Sequence, residues 1–157
     1  MDKDQFLSII VQNQGTLHKI CRLYRDTPED REDLFQEMIY QLWKSLPSFK
    51  GDAQVSTWLY RVALNTALTA FRKRGLSIIY TPDVPEPSPP VNDNRAILEE
   101  QLFAALNQLG DAEKALIAMY LDGLSYQEMA AITGTDENYI GVKLNRIKTK
   151  IKNILKL

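Results

Sequence analysis

Five of the chain's seven prolines stand between Pro82 and Pro90, and Asn92, Asp93 and Asn94 follow directly. No stretch of this kind can form a helix or a central strand, because proline has no N–H to donate and its ring obstructs the preceding turn. So many prolines with almost no apolar residues favour extended polyproline geometry, and residues 76–95 read as a Pro-rich, mildly acidic linker. The 157-residue chain is thereby divided into two small bodies, residues 1–75 and 96–157.

Both bodies read as helical, since their apolar residues recur at intervals of three and four. Phe6, Ile9, Ile10, Leu17, Ile20, Cys21 and Tyr24 make one stripe, and Leu34, Phe35, Met38, Ile39, Leu42, Trp43 and Leu46 a second. The second helix has a start signal in Thr27 as N-cap, Pro28 at the first helical position and acids through the first turn. Pro47 ends it. A third stripe runs from Trp58 through Leu59, Val62, Ala63, Thr66, Ala67 and Ala70 to Phe71, stopping at Arg74 and Gly75. Three helices are therefore expected in the first body. In the second, apolar residues from about Ala96 to Leu109 give one helix, Asp111 is expected to cap another that ends at Asp122 and Gly123, and Ser125 with Glu128 forms a capping box for a third. A long helix then runs to the C-terminus. The expected fold is all-α, two helical domains joined by the linker.

The net charge of −1 hides a segregation. Residues 61–74 carry Arg61, Arg72, Lys73 and Arg74 and no acid; residues 138–157 carry Lys143, Arg146, Lys148, Lys150, Lys152 and Lys156 and no acid. Residues 26–37 hold six acids against Arg31 alone. Two basic surfaces and one acidic surface point to separate partners of opposite charge.

The short helix after Ser125, a turn containing Gly134 and the final helix make a helix-turn-helix pattern, with Ala130 and Ala131 small enough for close crossing. Sorted at about 100° per residue, Ile140, Leu144, Ile147, Ile151 and Ile154 share one face. Asn138, Val142, Asn145, Thr149 and Asn153 lie opposite, between Lys143, Arg146 and Lys150 on one shoulder and Lys148 and Lys152 on the other. An uncharged polar ridge between basic shoulders suits a major groove, with amides on base edges and cations on phosphates. A short coiled-coil seam is the plainer account of the apolar spacing.

The helix over residues 56–74 combines Trp58, Tyr60, Arg61 and Asn65 with the terminal Arg72, Lys73 and Arg74. Rings that stack and cations that meet phosphate suit single-stranded nucleic acid. Equally, Trp58 suits a core, and the three terminal cations suit a helix C-terminus. The acidic helix, with Asp33, Gln36, Glu37, Gln41 and Lys44 outside its apolar stripe, would repel DNA and looks instead like a docking face for a basic protein.

Catalysis is not expected. His18 is the only histidine and forms no wider ligand set with Cys21, so no metal or cofactor is anticipated, and no phosphate-binding glycine loop or nucleophile elbow is present. A single cysteine agrees with a reducing compartment. The start of the chain lacks signal-peptide features and no apolar run approaches a membrane span, so a cytoplasmic protein without membrane insertion is expected.

These residues resemble a bacterial RNA polymerase sigma factor of the extracytoplasmic-function (ECF) type within the sigma-70 family. The resemblance rests on three motifs in order. Asp33, Leu34, the pair Gln36 and Glu37, Tyr40, Gln41 and Lys44 look like the helix that binds core polymerase. Residues 56–67, ending in Arg72, Lys73 and Arg74, look like the helix that melts the promoter and reads its minus-ten element. The capping-box helix and the basic helix after it resemble the domain that reads the minus-thirty-five element.

The resemblance implies partners in core RNA polymerase, promoter DNA and an anti-sigma factor. It implies that Phe49, Lys50 and Gln54, with Arg61 and Asn65 nearby, hold a flipped base while Trp58 and Tyr60 support the opening. The linker, with Asp83, Glu86 and Asp93, would pass through the RNA exit channel. Ser125, Tyr126, Asn138, Tyr139, Gly141, Val142, Lys143, Asn145, Arg146, Thr149 and Lys150 become the minus-thirty-five contacts. One departure stands out: where the family usually has a Lys-Ser-Arg-like run, this chain has Gly141, Val142 and Lys143. The expectation is that Gly141 lets the backbone approach DNA closely while Asn138 and Asn145 read bases. The rival reading is a helix-turn-helix regulator that acts on duplex DNA without core polymerase.

Overall fold

The structure, a computed structural model, describes residues 2–49, 54–74 and 94–156, with side chains through residue 69 in the second of these segments. Residues 76–93 of the expected linker, Lys50, and the side chains of Arg72, Lys73 and Arg74 lie outside the described residues, while Asn94 and Arg95, also expected in the linker, already belong to a helix. All regular structure among the described residues is helical.

The first body is built of α1 (Lys3–Gln12), α2 (Gln14–Tyr24), α3 (Pro28–Ser45) and α4 (Val55–Arg74), with a 3-10 turn at Leu46–Ser48. The expected first helix is in fact two. The apolar stripe from Phe6 to Tyr24 is continuous, but at Asn13 the backbone leaves helical geometry (φ −115°, ψ 16°), and its side-chain amide donates to the Ile9 carbonyl at 2.8 Å. An asparagine that satisfies the last turn of one helix can end it without interrupting the buried face. Thr27 caps α3 as expected, its hydroxyl accepting from the Asp30 N–H at 3.2 Å, with Pro28 next in line.

The second body consists of α5 (Asn94–Leu106), α6 (Asp111–Leu121), α7 (Tyr126–Thr133) and α8 (Glu137–Leu155). The cap of α6 is Gly110 rather than Asp111; the Glu113 carboxylate reaches back to accept from the Gly110 N–H at 2.9 Å, the one half of a capping box that a glycine cap allows. Ser125 and Glu128 form the expected capping box. Gly134 ends α7 in the left-handed region (φ 72°), where a side chain would be strained.

The two bodies pack against each other around one continuous core. Leu17, Ile20, Met38, Leu42 and Leu59 of the first and Leu106, Met119, Met129, Ile140, Leu144 and Ile147 of the second are all buried in the same cluster. At roughly 1.5–3 kcal/mol for each large side chain removed from water, this shared core is what holds the helices in place.

Candidate nucleic-acid interface

On α8 the sorting into faces holds residue by residue. Ile140, Leu144 and Ile147 are fully buried and Ile151 is half-buried, whereas Asn138, Val142, Asn145, Thr149 and Asn153 are exposed. Asp136 caps the helix, its carboxylate accepting from the Tyr139 N–H at 2.7 Å. Two shoulder cations already touch the body, Lys150 pairing with Glu113 at 3.1 Å and Lys148 lying over the Tyr120 ring at 4.2 Å, and Lys143 lies over the Tyr139 ring of α8 itself at 5.8 Å. Such exposed contacts contribute about 0.5–1 kcal/mol or less each and leave long side chains free to swing to phosphate. Arg146 is exposed. The Thr149 hydroxyl donates to the Asn145 carbonyl at 3.0 Å. Glu113 is held below the usual carboxylate range, chiefly by the Gly110 N–H, with Lys150 assisting.

Gly141 has a neighbour within the fold. A Cβ built there would meet the Tyr126 ring at 3.5 Å. That is an ordinary van der Waals contact between α8 and the start of α7, where Tyr126 lies. Ser125, at the exposed N-cap, uses its hydroxyl to accept from the Glu128 N–H at 3.0 Å.

Helix α4 is enclosed by neighbours over most of its described circumference, burying even Thr57 and Thr66. Trp58 is 8% exposed and Tyr60 only 2%. The Trp58 ring is tilted against the half-buried Phe49 at 5.0 Å, and its indole N–H has no partner among the described residues. In this conformation neither ring is available for stacking with a base. Among its described side chains α4 exposes Arg61, Asn65 and Thr69, one turn apart in succession; Gln54 is exposed just before the helix. Arg61 is engaged, its guanidinium donating to the Ala131 carbonyl of α7.

Helix α3 carries Asp33, Gln36, Glu37, Tyr40 and Lys44 on an exposed face roughly opposite Leu34, Met38 and Leu42, which are buried. Leu34 therefore fastens the helix to the core instead of meeting a partner, because its position falls on the inward face. Gln41 is half-buried and donates to Glu37 at 3.1 Å. Between α1 and α3 lies an apolar groove of about 450 Å³, lined by Phe6, Leu7, Phe35, Ile39, Tyr40 and Trp43 and flanked by Lys3 and Gln36. The sequence reading missed the share of α1 in this surface, since Leu7 lies off the buried stripe. His18 is exposed and stacked on Phe35 at 4.3 Å, a packing role. Among the described residues no cluster of three or more His, Cys, Asp or Glu is placed to hold a metal ion, and no helix is long and apolar enough to cross a membrane.

Residues 9–76 match sigma-70 region 2 and residues 99–151 match sigma-70 region 4. The ECF RNA polymerase sigma-E factor of Escherichia coli is 31% identical over 180 aligned residues, covering 97% of this chain and 87% of that protein. The chain belongs to the ECF sigma factors. It is also 27% identical to the ECF RNA polymerase sigma factor SigM of Mycobacterium tuberculosis, over 98% of this chain and 79% of SigM.

Solved structures share the fold of this sigma factor. The sigma factor RpoE of Bartonella quintana, solved with the anti-sigma factor NepR, superposes with a TM-score of 0.76 at 21% identity over 98% of both chains. CnrH, solved with the cytosolic domain of CnrY, superposes with a TM-score of 0.74 at 20% identity over 99% of this chain and 90% of CnrH. As a sigma factor the chain binds core RNA polymerase and directs it to promoters at initiation. The reading as a regulator that works without core polymerase is set aside by this membership.

Proposed function

We propose that the three faces divide this work among them. The exposed side of α3, through Asp33, Gln36, Glu37, Tyr40, Gln41 and Lys44, docks on a basic surface of core polymerase. Helix α4 and the segment before it, through Phe49, Lys50, Gln54, Arg61, Asn65 and the terminal Arg72, Lys73 and Arg74, meet the minus-ten element as it opens, with Trp58 and Tyr60 supporting the helix from beneath. Helix α8 lies in the major groove of the minus-thirty-five element. There Asn138 and Asn145 read base edges, while Lys143, Arg146 and Lys150 hold phosphates.

Residues 1–75, 76–95 and 96–157 are the polymerase-and-melting domain, the linker and the duplex-reading domain. The protein works in the cytoplasm, catalyses no reaction of its own and is held in check by an anti-sigma factor, as RpoE and CnrH are seen with NepR and CnrY.

The observation that carries this reading is the sorting of α8 into a buried apolar face, an exposed uncharged ridge and two basic shoulders, set against the acidic exposed face of α3. The test is transcription from a randomised promoter library by purified bacterial core polymerase, with and without this protein. Transcripts that appear only on its addition, from sites sharing two spaced elements, are the expected outcome. Binding to core without promoter selection would overturn the assignment of α4 and α8 while leaving that of α3.

A further inference from the structure

Asp122 sits at the C-cap of α6, where a negative charge faces the carbonyl end of the helix and is locally unfavourable. Its side-chain partners all come from the other body. The Thr16 hydroxyl donates to it at 2.8 Å, and the Lys19 ammonium and the Tyr60 hydroxyl both donate to it directly. Lys19 donates in addition to the Ala118 carbonyl at 2.9 Å, in the last turn of α6. Two helices of the first body, α2 and α4, thus converge on one carboxylate of the second. Next to Tyr60 on α4, Arg61 closes on the Ala131 carbonyl of α7.

We infer that Asp122 is a latch that holds the two bodies closed over α4, so that the helix proposed to read the minus-ten element is masked until the latch opens. The masking rests on that proposed role of α4; the latch itself does not. Tyr60 and Arg61 are adjacent on α4: the Asp122 contact holds Tyr60 beneath the helix, and a DNA strand drawing on the exposed Arg61 would have to displace the Ala131 carbonyl. Hydrogen bonds to charged groups are stronger than neutral ones, yet Asp122 remains partly exposed, its side chain at 25%. The closure is thus strong enough to favour one arrangement and accessible enough to be undone by a competing partner.

The experiment uses the full chain with spin labels at Ser8→Cys and Asn153→Cys, both exposed positions on opposite bodies. Cys21 is buried, its thiol pushed up to about 11 mainly by desolvation, and does not compete for label. Distances between the labels are measured for the wild type, Asp122→Ala, Asp122→Asn and Lys19→Ala. Binding of a fluorescent randomised single-stranded 20-mer DNA is measured in parallel.

The expected result is one short distance population in the wild type and, in Asp122→Ala, a longer and broader one enriched about tenfold, the equivalent of about 1.4 kcal/mol. Asp122→Asn, which keeps an acceptor for Tyr60 and Thr16, falls between. DNA binding rises in the same order. An unchanged distance distribution in Asp122→Ala with helicity intact would overturn the latch. Opening without any gain in DNA binding would leave the latch standing and overturn both the masking and the minus-ten assignment of α4.

Discussion

Helices α4 and α8 are both proposed to meet DNA, and they present themselves in opposite ways. On α8 one face is buried and the other lies open, so its periodicity translates directly into an exposed ridge of Asn138, Val142, Asn145, Thr149 and Asn153. On α4 most of the circumference is buried, and Arg61, on the narrow strip that remains, is tied to the second body. A helix at the edge of a domain advertises its function in sequence. One that lies between two bodies carries packing and function in the same residues, and its aromatic and cationic content can be read either way.

The sharpest way to break this comparison is to ask whether the bodies melt together. Because Leu59 of α4 and Leu144 of α8 belong to one continuous core, truncating either should destabilise the whole molecule. Leu59→Ala and Leu144→Ala are each expected to cost about 2–5 kcal/mol and to lower a single cooperative thermal transition, followed by calorimetry. Two separate transitions, with only one moved by each substitution, would mean that closure adds little and that α4 owes its burial to the first body alone.

A smaller effect should separate the two kinds of contact on α8. Asn145→Ala is expected to weaken binding to a selected duplex site by about 1–3 kcal/mol and to relax preference at one base pair. Arg146→Ala should instead weaken binding to every duplex alike and reduce the salt slope by about one. Titrations of both variants against selected and scrambled duplexes at several salt concentrations would decide. Equal losses on the two duplexes for Asn145→Ala would show that the ridge does not read sequence.

Much of this contrast was readable from residue order alone. The capping pair of Ser125 and Glu128, the Thr27 cap and the stripe of Ile140, Leu144, Ile147, Ile151 and Ile154 on α8 are local or periodic signals, and they settled the helices and the exposed ridge. Three things were not readable, each for a physical reason. The break at Asn13 leaves the apolar stripe in phase, so periodicity cannot detect it. The burial of Tyr60 depends on a second body more than sixty residues away in the chain. Asp122 looked like an ordinary helix-ending residue, because its partners Thr16, Lys19 and Tyr60 come together only by folding.

Closure should also depend on pH, with a sign fixed by Asp122. Burial alone would raise its carboxyl, but hydrogen bonds from Lys19, Tyr60 and Thr16 outweigh this and hold it below its ordinary value of 3.8. A carboxylate held low in the closed form contributes stability above its open-state value and loses it as pH falls through the closed-state value. Distances between the same two labels should therefore stay constant between about pH 5 and 8 and lengthen only below about pH 4. In Asp122→Asn the acid dependence should disappear, and a wild-type distance that changes near pH 6 would point to another group.

The smallest expected effect lies at Gly141, where the helix proposed to read duplex DNA carries its least helix-favouring residue. Glycine inside a helix costs about 0.5–1 kcal/mol relative to alanine. The one side chain that a new methyl group would touch is Tyr126, at 3.5 Å, an ordinary van der Waals separation. Gly141→Ala should accordingly raise the unfolding free energy by up to about 1 kcal/mol, seen as a modest rise in Tm. If the glycine serves only the crossing of α7 and α8, promoter preference in the transcription assay stays the same and the variant is simply more stable. If the glycine lets DNA approach the backbone, the variant gains stability and loses affinity for its selected duplex. That pairing of opposite signs would return Gly141 to the DNA-facing ridge and narrow the difference between the two helices.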